Sequence, residues 1–343
     1  MKFGTAYFDN IILKHFATDM KEVRKTGCSF IVLTFSENSL LYHVETFRKM
    51  VVAAKKQGLT VLIDPWMIGG VFGGEAMTHL PMWHPEERQV RSDGKQAPAL
   101  CVNSPALMRY LKKWVDAAAS FKPDYILWDE PHFYLNWLDT LGGWPKGSKS
   151  WSCLCGLCKA KFKKETGKDL PKVQTEEVKE FKRRCIQKFL LTLTRYAASR
   201  KTKNAMTFLP GEKKWFLESM CKEPTVQMMG GETYFEYEPG QRPKDVRSFA
   251  EEHTEQMKEW SRKYKKPLLM WVKGFKIPKG YEKDVADSIQ GCVDGGADWV
   301  AVWGFEACKH VSLISPDDPD KVWKLVGHTY KKNLGPNGVK RKP

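Results

Sequence analysis

The chain contains no run of apolar residues approaching the ~18–20 that a membrane-spanning helix requires. Its N-terminus, MKFGTAYFDN, lacks the basic, apolar and small-residue regions of a secretory leader and has the pattern of a strand. A cytoplasmic protein without membrane association is therefore expected. No Gly-rich phosphate turn follows the first strand, which argues against a doubly wound dinucleotide-binding sheet and leaves no organic cofactor to expect. Zinc-finger Cys/His spacing, an RNP-type aromatic motif and a helix-turn-helix pattern are also missing, so nucleic acid is disfavoured as a partner. Core-forming residues are not scarce. With 343 residues, 42% of them hydrophobic and 12% aromatic, the chain can bury a large core and is not a disordered or low-complexity protein.

Positive charge is in excess: 56 Lys+Arg against 40 Asp+Glu gives a net charge of +16. Residues 146–188 hold 13 basic and 5 acidic residues, and their surplus of +8 is half of the total. Solvated helix faces and a basic tail over 333–343 account for much of this. Beyond them the charge points to anionic ligands, acidic glycans ahead of nucleic acid.

Short β-branched or aromatic runs alternate with longer amphipathic stretches. Eight strands are expected: Lys2–Phe8, Ser29–Phe35, Thr60–Asp64, Asp124–Asp129, Ala205–Leu209, Thr225–Met229, Pro267–Val272 and Asp298–Trp303. Most are continuously apolar (FIVLTF, YILWD, WVAVW), as parallel strands buried on both faces must be. Helical patterns fall between them at 43–57, 105–120, 175–200, 212–221, 242–265 and 281–294. Eight such units predict a single α/β domain, a (β/α)8 TIM barrel over 1–332 with a tail over 333–343. The segments 66–104 and 131–174, after the third and fourth strands, are too long for simple connections and are where a barrel builds its site. Nothing in the sequence excludes a homo-oligomer.

Active sites of this fold lie at the C-terminal strand ends, and polar residues are dense there. Asp9 follows the first strand, Glu37 the second, Asp64 and Trp66 the third, Asp129, Glu130 and His132 the fourth. Glu232 and Tyr234 follow the sixth, Trp271 and Lys273 end the seventh, and Trp303 the eighth. Carboxylates beside flat aromatic rings suit a sugar. The rings (Trp66, Tyr234, Trp271, Trp303) stack on pyranose C–H groups, and a carboxylate pair handles the glycosidic oxygen and the anomeric carbon. In a regular strand Asp129 and Glu130 point to opposite faces, so only one enters the barrel unless Pro131 bends the strand end. The opposed carboxylate has to come from across the barrel, and Glu232 is the first choice. His132 is an acid/base aid or a substrate hydrogen bond, and Lys273 a partner for a substrate carboxylate.

Cys153, Cys155 and Cys158 form a C-x-C-x2-C run in the second long loop. Zinc prefers four tetrahedral ligands, and Cys101, in the first long loop, would supply the fourth and clip the two loops together. Incidental thiols or a histidine-completed site are the alternatives. The spacing fits no common iron–sulfur signature.

Around these residues the chain resembles the glycoside hydrolases of the large barrel clan. Asp129-Glu130-Pro131 is similar to the clan's Asn-Glu-Pro at the fourth strand end, and the resemblance implies that Glu130 is the acid/base, with Asp129 replacing the Asn. The four cysteines resemble the structural zinc cluster of family 42 β-galactosidases, including its place between the third and fourth loops. FSEN, DPW, VFGGE, WDEPHF, the cysteine loop and AVWGFEAC together resemble an uncharacterised bacterial group of glycosidase-like barrels. The chain departs from the clan at the seventh strand, where Trp271 to Lys273 stand in place of the nucleophilic Glu. Three schemes stay open: the clan's own; Asp129 as nucleophile with Glu232 as acid; and a family 20-like Asp-Glu pair using the substrate's acetamido group. The expected function is cleavage of a glycosidic bond, on an acidic or acetamido sugar. A barrel that binds sugar without hydrolysis and a non-hydrolytic lyase, aldolase or isomerase using Lys273 are the rival readings.

Overall fold

The structure, a computed structural model, describes residues 1–8, 10–135, 150–208 and 211–334. The strands are β1 (Lys2–Tyr7), β2 (Phe30–Thr34), β3 (Thr60–Asp64), β4 (Arg88–Val90), β5 (Gln96–Leu100), β6 (Tyr125–Trp128), β7 (Lys203–Phe208), β8 (Val226–Glu232), β9 (Leu268–Lys273) and β10 (Trp299–Trp303). The helices are α1 (Leu13–Thr26), α2 (Glu37–Tyr42), α3 (Val44–Lys56), α4 (Leu80–Trp83), α5 (Pro105–Ser120), α6 (Gly156–Thr166), α7 (Glu176–Ser199), α8 (Lys214–Lys222), α9 (Val246–Tyr264), α10 (Lys283–Asp294) and α11 (Pro319–Leu334). Eight parallel strands close into a barrel, β1-β2-β3-β6-β7-β8-β9-β10, with β10 returning to β1. The protein is thus an α/β (β/α)8 barrel. β4 and β5 form a separate antiparallel hairpin in the long segment after β3. Among the described residues, no helix is long and apolar enough to cross a membrane.

The closed barrel follows from strands that are apolar on both faces. In β2 and β10 every residue is buried. Phe30, Val32, Trp299 and Ala301 point inward and pack with Leu62, Leu127, Ala205 and Leu269. Ile31, Leu33, Val300 and Val302 point outward beneath the helices. The interior tolerates large rings because small residues face them. A Cβ on Gly4 would lie 2.4 Å from the Phe30 ring, and that ring also packs on Trp299 at 4.8 Å between centroids.

The eight expected strands are all present. β8 continues past Met229 to Glu232, and β9 reaches Lys273, so both residues belong to the sheet. Leu209, the expected end of the fifth strand, and the tail from 335 onward lie outside the described residues. The periodicity reading passes over α1, α11 and the β4–β5 hairpin. The start of α1 follows Ile12, which makes no side-chain capping bond, so the usual polar start signal is missing there.

Replacing Gly4 with valine should overpack this layer and cost about 1–3 kcal/mol of stability, read as a lower urea midpoint. An unchanged midpoint would mean that the Phe30 ring is free to move aside.

Candidate active site

Strand alternation aims Asp64 and Glu232 into the barrel mouth, at the ends of β3 and β8, and aims Asp129 there from just beyond β6. They are 0%, 1% and 8% exposed. Glu130 joins them by a backbone device. Its φ is 41°, in the left-handed region that non-glycine residues rarely occupy and that functional sites favour. The turn brings back to the mouth a side chain that regular alternation would send outward. Gly73 packs against both neighbours: a Cβ there would lie 2.9 Å from Asp129 Oδ2 and 3.3 Å from Glu130 Oε2. Thr207 Oγ1, from β7, donates to Asp129 Oδ1 at 2.6 Å.

Four carboxyls so close cannot all be charged. Burial, then the Asp129 and Glu75 charges, holds the Asp64 carboxyl well above the usual range. Burial and the neighbouring Glu130 push Asp129 up to about 7, against the lowering effect of the Thr207 bond. Glu232 is raised well above its ordinary value by burial, by the Glu130 charge and by contact with the Glu130 carboxyl. Among the described residues no N–H or hydroxyl reaches Glu232, so its bond to Glu130 exists only while one of the two holds a proton. Glu130 is also raised by burial, but that contact lowers it. Burial raises both groups, so one of the two holds a proton while they are in contact.

Glu130 also lines a cleft of about 270 Å³ between the turn after β6 and the start of α7. His132 and Lys182 line it too. His132 is buried, with no partner for Nδ1, and burial together with the Lys182 charge lowers its pKa to about 4, leaving it neutral. The Lys182 ammonium lies over the rings of Phe133 and Trp151, 5.2 and 5.6 Å from their centroids. Burial brings its pKa down to about 8, opposed by the nearby Cys153 and Cys158.

Other expected site residues are placed differently. Glu37 is buried, and its two oxygens accept from the Gly69, His79 and Leu80 N–H groups and the Thr78 hydroxyl. It anchors the loop after β3 and has no acceptor capacity left for substrate, which corrects the expected binding role. Lys273 donates to Phe235 O at 2.8 Å and pairs with Glu236 at 3.0 Å; it ties down the segment after β8 and is not open to a substrate carboxylate. Trp66, Trp271 and Trp303 are buried in the inner cluster. Trp303 packs on Trp271 at 5.7 Å and stacks on Phe8 at 5.3 Å, so the exposed platforms expected of them are not presented here. The indole Nε1 groups of Trp66 and Trp271 are nevertheless buried without an acceptor. Tyr234 packs edge-on against Phe275, and burial with the Glu232 and Glu130 charges raises its hydroxyl pKa. Asp9 lies outside the described residues. Thr207, Gly73, Glu75 and Lys182 were not anticipated. Thr207 could have been found from inward parity on β7, and Gly73 and Glu75 belong to the VFGGE segment.

The four cysteines meet. The Sγ atoms of Cys101, Cys153, Cys155 and Cys158 lie within 4.8 Å of one another, all buried. Cys101 and Cys158 are 3.4 Å apart, much longer than the ~2.05 Å of a disulfide and near the ~3.8 Å edge of a tetrahedron with ~2.3 Å metal–sulfur bonds. Cys101 follows the β4–β5 hairpin, whose Val90 O accepts from Leu154 N at 2.6 Å. Cys155 precedes α6, and Cys158 lies in its first turn. Asn103 donates through its main chain to Cys101 Sγ at 3.4 Å and through its side chain to Cys158 Sγ at 3.3 Å. Sulfur acceptors ringed by N–H donors form a group able to bind a metal ion and join the two long loops.

Several solved structures of similar architecture are glycoside hydrolases. A β-galactosidase from the psychrophilic Marinomonas ef1 matches 96% of this chain over 59% of its own, with TM-score 0.67 and 10% identity. The chain thus spans well under two thirds of that enzyme. A GH5_18 variant from Bifidobacterium longum, solved with Manβ1-4GlcNAc, matches 98% over 79% of its chain, with TM-score 0.63 and 12% identity. An endo-1,4-β-mannanase from Rhizomucor miehei matches 96% over 95%, with TM-score 0.59 and 9% identity. No family model matches the chain, and no curated protein matches it in sequence. At such identities the likeness establishes a glycoside hydrolase-like (β/α)8 barrel as the fold.

The raised Asp129 has a thermodynamic consequence. Between the ~3.9 of an unfolded aspartate and its folded value near 7, the native protein holds a proton that the unfolded chain has released. Its contribution is full below the lower value and is lost as pH rises through the upper one, at a limit of about 1.4 kcal/mol per pH unit. Asp129→Asn should therefore show a shallower fall in urea midpoint from pH 5 to pH 7 than wild type. Parallel profiles would show that Asp129 is ionised throughout.

Proposed function

We propose that this barrel is a glycosidase in which Glu232 is the general acid and Glu130 the opposed carboxylate. The observation that carries this reading is the gathering of the buried Asp64, Asp129 and Glu232 with Glu130 at the barrel mouth, where burial and mutual repulsion raise them so that they cannot all be ionised. Glycoside hydrolysis needs a pair of carboxyls, one protonated and one not. Glu232 gives its proton to the glycosidic oxygen as the C–O bond breaks, and Glu130 attacks the anomeric carbon to form a glycosyl ester. Water, losing its proton to Glu232, then hydrolyses the ester and restores both groups. The roles reverse those implied by the clan resemblance, in which Glu130 donates the proton. Asp64 and the Trp66 and Trp271 N–H groups, without partners among the described residues, supply acceptors and donors for sugar hydroxyls. The glycoside hydrolases of similar fold add support at the level of architecture.

The cysteine group is proposed to hold a structural zinc through Cys101, Cys153, Cys155 and Cys158. Four thiolates leave no open position for catalysis, so the metal's work is to join the two long loops, the second of which supplies residues to the cleft.

Sugar release followed by NMR on neutral, acetamido and uronic glycosides tests the first proposal. Glu130→Gln and Glu232→Gln should each lower kcat by about 10²–10⁴, with the first-formed product keeping its anomeric configuration. Turnover that survives either change would remove that residue from the chemistry. For the second proposal, elemental analysis should find one zinc per chain. Cys155→Ser should lose it and melt at lower temperature, whereas metal-free wild type of unchanged stability would refute the site.

A further inference from the structure

The cleft beside Glu130 has one wall made by a stripe of α7. Lys179, Lys182, Arg183 and Ile186, spaced as one helix face must be, all line it. Lys179 pairs with Glu176 at 2.6 Å, and Arg183 with Glu180 at 2.9 Å. Lys182 differs: among the described residues no carboxylate reaches its ammonium, which rests on the faces of Phe133 and Trp151. Beside it His132 presents a buried Nδ1 that has no partner among the described residues. The Lys182 charge is favoured by the nearby Cys153 and Cys158, and an anion in the cleft that it lines would add a second partner. At about 270 Å³ the cleft falls just below the ~300–1,000 Å³ of drug-sized ligand sites, which suits a single sugar ring.

We infer that this cleft is a subsite for an anionic sugar residue, with the Lys182 ammonium as counter-charge to its carboxylate or sulfate and His132 bonded to a neighbouring oxygen. The inference names a substrate class for the glycosidase reading and rests on it. With the anionic sugar seated against α7, its linkage oxygen is directed toward the carboxyl pair, since Glu130 borders the same cleft. Half of the chain's surplus charge lies in the segment that contains this stripe.

NMR titration with D-glucuronate, glucose 6-sulfate and glucose tests the subsite by binding alone. Wild type should bind at least one anion about tenfold more tightly than glucose, as a charge-assisted bond allows. Lys182→Met should lose that preference, and Lys182→Arg should keep it. The zinc content of each variant is measured alongside, because Lys182 also lies near Cys153 and Cys158. An equal response to all three probes, including no binding of any, would overturn the inference. So would an anion preference that persists in Lys182→Met, or its loss only together with the metal. Anion preference without turnover on any glycoside would uphold the subsite and remove the hydrolytic reading; turnover without anion preference would do the reverse.

Discussion

Mutual repulsion among buried carboxyls is the constraint to which the rest of this protein answers. Asp64, Asp129, Glu130 and Glu232 meet where water is scarce and compensating donors few. Thr207 gives Asp129 one hydrogen bond; Glu232 receives none from the described protein except through a proton shared with Glu130. Left to themselves such groups would separate into solvent. They stay together because they are fixed to three strand ends of a closed barrel, those of β3, β6 and β8, and a barrel cannot splay without breaking its ring of hydrogen bonds. Rigidity of the scaffold thus holds an arrangement that electrostatics opposes, and the same opposition raises the carboxyl pKa values.

The long loops are fastened with equal directness. The segment after β3 is pinned at one point by Glu37, whose carboxylate is saturated by loop N–H and hydroxyl groups, and at another by the cysteine group. The segment after β6 is joined to it through the same sulfurs and through the bridge between Arg91 and Ser152. Lys182 stands between these systems, near the thiolates and on the wall of the cleft.

How much of this was legible in the sequence depends on how local each cause is. Strands such as FIVLT and WVAVW are buried on both faces, so their character is written into consecutive residues, and the barrel follows from counting them. The cysteine group was legible because its ligands have spacing rules. The placement of Glu130 was not: alternation sends it outward, and it returns only through the positive φ of the turn after β6, against which Gly73 packs. Glu37 and Lys273 share the side-chain chemistry of substrate-binding residues but serve as loop anchors, a distinction that depends on which N–H and C=O groups arrive from elsewhere in the chain. The tryptophans present the same difficulty, since an indole at a strand end suits a core layer as well as a sugar.

The joining of Cys101 to Cys158 has a meaning for binding as well as for folding. A metal-held link across positions 57 residues apart would remove about 4 kcal/mol of chain disorder from the unfolded state in the simplest loop-closure picture. In the native state it would hold the described part of the segment after β6 in place, and that part supplies His132, Phe133 and Gln174 to the cleft. A ligand entering the cleft then does not have to freeze these residues, and more of its contact energy remains to show as affinity. Sulfur chemistry remote from the carboxyls would thereby set the entropy of recognition.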